Sequence, residues 1–145
     1  MSINPEVTHD ILLDTHVWVW LCNGDKNLTG SPASKILEQA AAKGRLRLSV
    51  ISIWEFGMLE AKGRITLSVN CQDWVKRAIE GTGISVVALT PEIAIESSRL
   101  PHEFHGDSAD RMIVATARKY DAIVATRDKM ILEYGKQNNV KVLAV

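Results

Sequence analysis

The most constraining stretch of this 145-residue chain is HGDSADRMIVATARKYDAIVATRD, from His105 to Asp128. Asp107 and Ser108 are helix-start residues, and Ala109, Met112, Ile113, Thr116 and Tyr120 then recur at helical spacing. The helix stops at Lys119-Tyr120-Asp121. Ala122 to Ala125 follows as an apolar run without polar alternation, the pattern of a parallel strand covered on both faces. That strand delivers Asp128 to its C-terminal edge, and Asp110 occupies the first turn of the preceding helix. Both carboxylates are thereby aimed at the edge where open α/β sheets bind ligands.

The rest of the chain repeats this alternation. Ile11–Leu13 reads as a strand ending in Asp14, and Thr15–Cys22 as an apolar helix closed by Asn23-Gly24-Asp25. Ser31-Pro32 opens a helix, with proline at the favoured first position, that ends at Gly44. Leu46–Ile51 reads as the second strand, and Ser52 opens a helix closing at Gly63. Cys71–Glu80 is a further amphipathic helix and Ile84–Leu89 the third strand. Thr90-Pro91-Glu92 starts a helix that ends near Leu100-Pro101. A short helix, KMILEYG, and a last strand, Val140–Val145, complete the chain. Strands alternating with helices over short links predict one α/β domain, residues 1–145, built on a parallel sheet with right-handed crossovers.

Composition narrows the function classes. The hydrophobic fraction is 46% and the formal net charge zero, so a global electrostatic pull toward nucleic acid is excluded and any such contact must be local. Cys22 and Cys71 lack metal-ligand spacing and read as reduced, semi-buried thiols. The N-terminal MSINPEVTHD lacks an export signal, and no apolar run approaches the ~20 residues of a membrane span. These features predict a cytoplasmic protein.

On this reading four carboxylates share the C-terminal edge of the sheet: Asp14, Glu55, Asp110 and Asp128. Each taken singly also has a structural explanation. Asp14 and Asp128 suit helix caps, Asp110 suits a favourable first-turn charge behind an Asp107 cap, and Ser52…Glu55 has capping-box spacing. Together they would repel one another unless a cation sat among them. Oxygen-only ligands favour Mg²⁺ or Mn²⁺, and such a centre suits phosphodiester hydrolysis. Thr15, Ser52 and Thr126 adjoin three of the carboxylates, as orienting hydroxyls or as ordinary turn residues. Arg111 and Arg127 flank Asp110 and Asp128, as phosphate binders or as solvated surface cations. Trp18, Trp20, Trp54 and Trp74 could stack bases, but Trp18 and Trp54, set among apolar helix residues, read as core or subunit-interface side chains instead. His16, His102 and His105 receive no catalytic role.

The segments LLDTHVWVW, SVISIWEF, HGDSADRMIVATA and IVATRDKMI, in that order along nearly the whole chain, resemble the PIN-domain ribonucleases, and specifically the VapC-type toxins of bacterial toxin–antitoxin pairs. The resemblance implies a three-layer sandwich with a central, mainly parallel sheet flanked by helices. It maps the family's acidic residues onto Asp14, Glu55, Asp110 and Asp128, as metal ligands and catalytic groups. In the family's DPxDR pattern the first aspartate matches Asp107, but the proline is Ser108 here, which leaves Asp107 between a cap and a contributor to the site. Mg²⁺- or Mn²⁺-dependent endoribonuclease action on RNA, a homodimer and a cognate antitoxin are likewise implied. Two rivals are a receiver-like signalling domain, which lacks its phospho-acceptor aspartate and lysine here, and a catalytically silent partner-binding module.

Overall fold

A computed structural model describes residues 8–145, so most of the N-terminal stretch read for an export signal lies outside the described residues. Five parallel strands form one sheet: β1 (Ile11–Leu13), β2 (Leu46–Ser49), β3 (Ser85–Val87), β4 (Ile123–Thr126) and β5 (Lys141–Ala144), in the order β3-β2-β1-β4-β5. The order reverses between β1 and β4, where Ile11, Leu12 and Leu13 pair with Ile123, Val124 and Ala125. The connections that follow β1 and β4 run to opposite sides, toward β2 and toward β5, which opens a crevice at the C-terminal ends of these two parallel strands.

Among the described residues eight helices fill the connections: α1 (Thr15–Asn23), α2 (Lys26–Thr29), α3 (Ala33–Ala42), α4 (Val50–Ala61), α5 (Cys71–Thr82), α6 (Pro91–Ser97), α7 (Ser108–Tyr120) and α8 (Lys129–Lys136). Side-chain alternation along the strands sorts them into two layers. Leu12 and Val124 point into a core shared with Ile93, Ile113, Ile131 and Tyr134, from α6, α7 and α8. Ile11, Leu13 and Ala125 point the other way, toward Val17, Trp18, Leu37, Phe56 and Ala78 of α1, α3, α4 and α5. Trp18 meets both Phe56 and Trp74 edge-on, and Phe56 stacks on Trp74 with 4.4 Å between ring centroids. The result is the three-layer sandwich expected from the sequence. No helix of the described residues is long and apolar enough to cross a membrane.

Several boundaries differ from expectation. β2 ends at Ser49, whose side chain accepts the Ile51 amide and starts α4 three residues before Ser52. Ser52 is therefore an interior, fully buried helix residue, and the proposed Ser52–Glu55 capping box does not exist. Pro32 precedes α3 as its N-terminal cap residue instead of occupying the first helical position, and β3 is only Ser85–Val87. The short α2, capped by Asp25, has no counterpart in the sequence reading. Tyr120 is 48% exposed, so the buried face of α7 ends before it, at Ala117. Trp18 is fully buried in the core, whereas Trp54 is 53% exposed on the single chain, because α4 turns Phe56 inward and leaves Trp54 facing outward, so of its two expected places only the core is overturned.

Candidate active site

Asp14 follows β1 directly, and its amide donates to the Ala125 carbonyl of β4 (3.0 Å). Its side chain is held at both oxygens. Oδ1 accepts the Thr15 amide (2.8 Å) and Oδ2 accepts the Thr126 hydroxyl (2.6 Å). Thr126 Oγ1 also accepts the Asp128 amide (2.9 Å), so one fully buried hydroxyl links the Asp14 carboxylate to the main chain of Asp128. Asp128 caps α8 as the sequence allowed, with Oδ1 accepting the Met130 and Ile131 amides at 2.9 and 3.0 Å.

On the neighbouring helix Asp107 and Asp110 form a reciprocal capping box. The Asp110 amide donates to Asp107 Oδ1 (2.9 Å), and the Asp107 amide to Asp110 Oδ2 (3.3 Å). Gly106 is required beside them: a Cβ there would lie 2.5 Å from the Phe104 ring and 2.9 Å from Asp110 Cβ. Glu55 sits in the second turn of α4, half-buried, and among the described residues nothing hydrogen-bonds to its carboxylate.

These residues line one open cleft of about 330 Å³. Asp14, Glu55, Asp107, Asp110 and Asp128 all contribute, with His16, Val17, Trp20 and Arg127 completing the wall. Burial pushes the Asp14 carboxyl up, and the hydrogen bonds from Thr126 and Thr15 and the nearby His16 pull it partly back. Asp110 is pushed up to about 7, first by burial and then by the charges of Asp107, Asp128 and Asp14. The arrangement is short of positive charge, because each carboxylate raises the cost of ionising the next.

A hard divalent cation fits this donor set, which is oxygen-only and strongly anionic. Among the described residues no three Asp, Glu, His or Cys side chains close on a single point, so the carboxylates stand as an open ring. Mg²⁺ suits such a ring, since it keeps several waters and takes few direct protein ligands.

The two arginines divide. Arg111 does not line the cleft: its guanidinium donates to the Ser97 carbonyl (2.8 Å) and the Phe104 carbonyl (2.6 Å), fastening the loop before α7. Arg127 does line it, lying over Trp20 with 4.7 Å from Cζ to the ring centroid. Its donors are committed to Asn27 Oδ1, the Asn27 main-chain oxygen and the Val145 main-chain oxygen. Of the hydroxyls, Thr126 orients a carboxylate, whereas Thr15 Oγ1 and Ser52 Oγ are buried without a partner among the described residues. His16 and Trp20 in the wall and Asn27 behind Arg127 were not singled out as site residues from sequence. The first two lie within two helical turns of Asp14, which is the available signal.

A PIN-domain family model matches residues 11–137. The chain belongs to the PIN-domain family. Ribonuclease VapC22 from Mycobacterium tuberculosis is 32% identical to it over 121 residues, spanning 83% of this chain and 88% of that protein, which places the chain on the VapC branch. In solved structures the fold recurs in VapBC2 from Rickettsia felis bound to a DNA fragment from its promoter. There the TM-score is 0.67 at 14% identity, covering 92% of this chain and 97% of that one. It recurs again in a toxin–antitoxin complex from Klebsiella pneumoniae, with TM-score 0.57 and 19% identity, covering 92% and 96% of the two chains.

Proposed function

We propose that this PIN domain is a metal-dependent endoribonuclease and the toxin of a toxin–antitoxin pair. The observation that carries the proposal is the cleft at the sheet's switch point, which five carboxylates line and where burial and the neighbouring charges push Asp110 up to about 7. That environment suits a divalent cation and disfavours an empty anionic pocket. VapC22, similar along most of its length, is a ribonuclease, which supports RNA as the substrate. The likeness to a chain in a toxin–antitoxin complex supports a protein antitoxin. The homodimer implied by the family resemblance belongs to the same proposal.

In this reading Asp14, Glu55, Asp110 and Asp128 hold one or two Mg²⁺ or Mn²⁺ ions, directly or through water, and Asp107 adds charge from the rim. When bound, the ion supplies positive charge that acidifies water and offsets the charge developing on the phosphate oxygens. The protein fixes the geometry beforehand. Asp14 is locked by Thr126 and Thr15, Asp128 by its own helix, and Asp110 by the capping box with Asp107. Glu55, unfastened, is the carboxylate free to adjust as substrate and water enter. Hydrolysis adds water across the P–O bond, and no histidine proton transfer is required of His16.

The test is cleavage of a mixed RNA pool by purified, partner-free protein, with Mg²⁺ or Mn²⁺ and with excess EDTA. Asp14→Asn serves as the comparison. Cleavage that needs both the ion and Asp14 supports the proposal. Its absence from folded protein with either ion would favour a silent partner-binding module.

A further inference from the structure

The acidic cleft is a poor place to hold a polyanion. Five carboxylates face it against one arginine, which already makes three hydrogen bonds to Asn27 and Val145 oxygens. Net charge is zero, so no long-range field compensates. The cations that hold an RNA strand must therefore lie beside the cleft.

A second groove of about 370 Å³ meets that need. It shares Glu55 and Asp107 with the cleft and extends along the outer face and C-terminal end of α4, past Trp54, Met58 and Leu59 to Lys62 and Arg64. Lys62 and Arg64 are exposed, and neither side chain makes a hydrogen bond or ion pair among the described residues. Several other basic side chains are occupied, Arg45 and Arg47 by Asp10, Lys119 by Glu92, Lys141 by Asp121 and Arg111 by main-chain carbonyls, and others unpaired among the described residues, such as Lys76 and Arg77, do not line this groove. Trp54, 53% exposed, lies in the same groove between the free cations and the carboxylates of the cleft. An aromatic face beside cations, joined to an acidic cleft, is the combination that holds unpaired bases and their backbone.

We infer that this groove seats the single-stranded RNA flanking the scissile phosphate, with Lys62 and Arg64 on backbone phosphates and Trp54 under a base. The inference rests on the ribonuclease reading and extends it: these three are positioning residues, and substrate grip lies on α4 and its exit rather than among the carboxylates. Because the apolar part of the groove faces bases, unpaired strands are held in preference to duplexes, whose bases are stacked inside.

The experiment measures anisotropy of a labelled, mixed-sequence single-stranded RNA in EDTA over a salt series, and steady-state cleavage with Mg²⁺ or Mn²⁺. The proteins are wild type, Lys62→Ala/Arg64→Ala, Trp54→Ala, and Lys76→Ala/Arg77→Ala on α5 as a charge-matched control. Losing two phosphate contacts should flatten the log K against log salt slope by about 1.4 and weaken binding roughly 25-fold at 0.1 M salt. KM should rise with kcat held within about two-fold, as for lost uniform binding. Trp54→Ala should weaken binding about five-fold or more without changing the slope. The control should match wild type.

Wild-type affinity, slope and KM in the Lys62/Arg64 variant, with wild type cutting RNA, would overturn the inference and leave the ribonuclease reading standing. Loss of protein-partner binding in that variant with RNA binding intact would assign the groove to a protein and equally overturn it. Failure of wild type both to bind and to cut RNA would remove the ribonuclease reading and this inference with it.

Discussion

Replacing Thr126 by valine removes one hydroxyl and no carboxylate. The side chains are nearly isosteric, and Thr126 is fully buried, so packing is preserved and the change is electrostatic. Two hydrogen bonds vanish together: the one donated to Asp14 Oδ2 at 2.6 Å and the one accepted from the Asp128 amide at 2.9 Å. The first is charge-assisted, and its loss leaves a buried carboxylate oxygen unsatisfied, so the variant should lose about 2–4 kcal/mol of stability. For a domain of this size that corresponds to a Tm lower by roughly 5–15 °C. The loss should itself depend on pH. Burial raises the Asp14 pKa and Thr126 holds it down, so valine drives it higher still. A carboxyl whose folded pKa lies above its unfolded value of 3.8 contributes stability at low pH that is lost as pH rises through the folded pKa. The gap between variant and wild type should therefore be smallest below pH ~4 and widest at neutral pH and above, where Asp14 is ionised. Thermal melts in EDTA from pH 4 to 8 measure it, with Thr126→Ser as a control that keeps both hydrogen bonds. A Thr126→Val protein as stable as Thr126→Ser at pH 8, or a gap that narrows with rising pH, would refute this account of how the two carboxylates are held.

Three further predictions follow the same electrostatics and packing. Asp110, raised from 3.8 to about 7, contributes stability to the metal-free protein that is fully present below pH ~4 and is lost as pH rises through 7. Asp110→Asn should thus be more stable than wild type in EDTA at pH 8, by about 1–2 kcal/mol after solvent screening at this half-buried site, and Mg²⁺ should raise the Tm of wild type only. Gly106→Ala should cost about 1–3 kcal/mol, because its methyl overlaps the Phe104 ring and Asp110 Cβ, and should lower cleavage by displacing Asp110; denaturant melts and cleavage rates check both. Glu55→Gln should leave the unfolding free energy within about 0.5 kcal/mol of wild type while cleavage falls at least about ten-fold, since no hydrogen bond among the described residues depends on that carboxylate.

Much of this arrangement is legible in the sequence where local signals and tertiary demands agree. The apolar run before Asp128 is a buried strand because both faces of β4 are covered, and Asp107 caps α7 because helix-start chemistry is local. The misreadings occur where they conflict. Val50 and Ile51 are β-branched and read as the end of β2, but Ser49 caps at that point and the chain turns into α4. That shift removes the capping explanation for Glu55 and leaves its carboxylate available to the cleft. Adjacency to Asp110 suggested that Arg111 shares the site, yet a step of one residue rotates a helical side chain by about 100°, and Arg111 reaches the loop carbonyls instead. Trp54 and Phe56 show the same geometry, one outward and one in the core. The Arg127–Trp20–Asn27 assembly joins residues distant in sequence, and no local pattern announces it.

Under the proposed function a divalent cation relieves the mutual repulsion of the carboxylates that line the cleft. Calorimetric titration of Mn²⁺ into metal-free protein, in buffers of different ionisation enthalpy at pH 6.5 and 8.5, tests it most directly. With Asp110 titrating at about 7, binding should release upward of about half a proton at pH 6.5 and far less at pH 8.5, and Asp110→Asn should lose most of that release. Mn²⁺ binding with no proton release at pH 6.5, or no saturable binding to the folded protein, would contradict the claim.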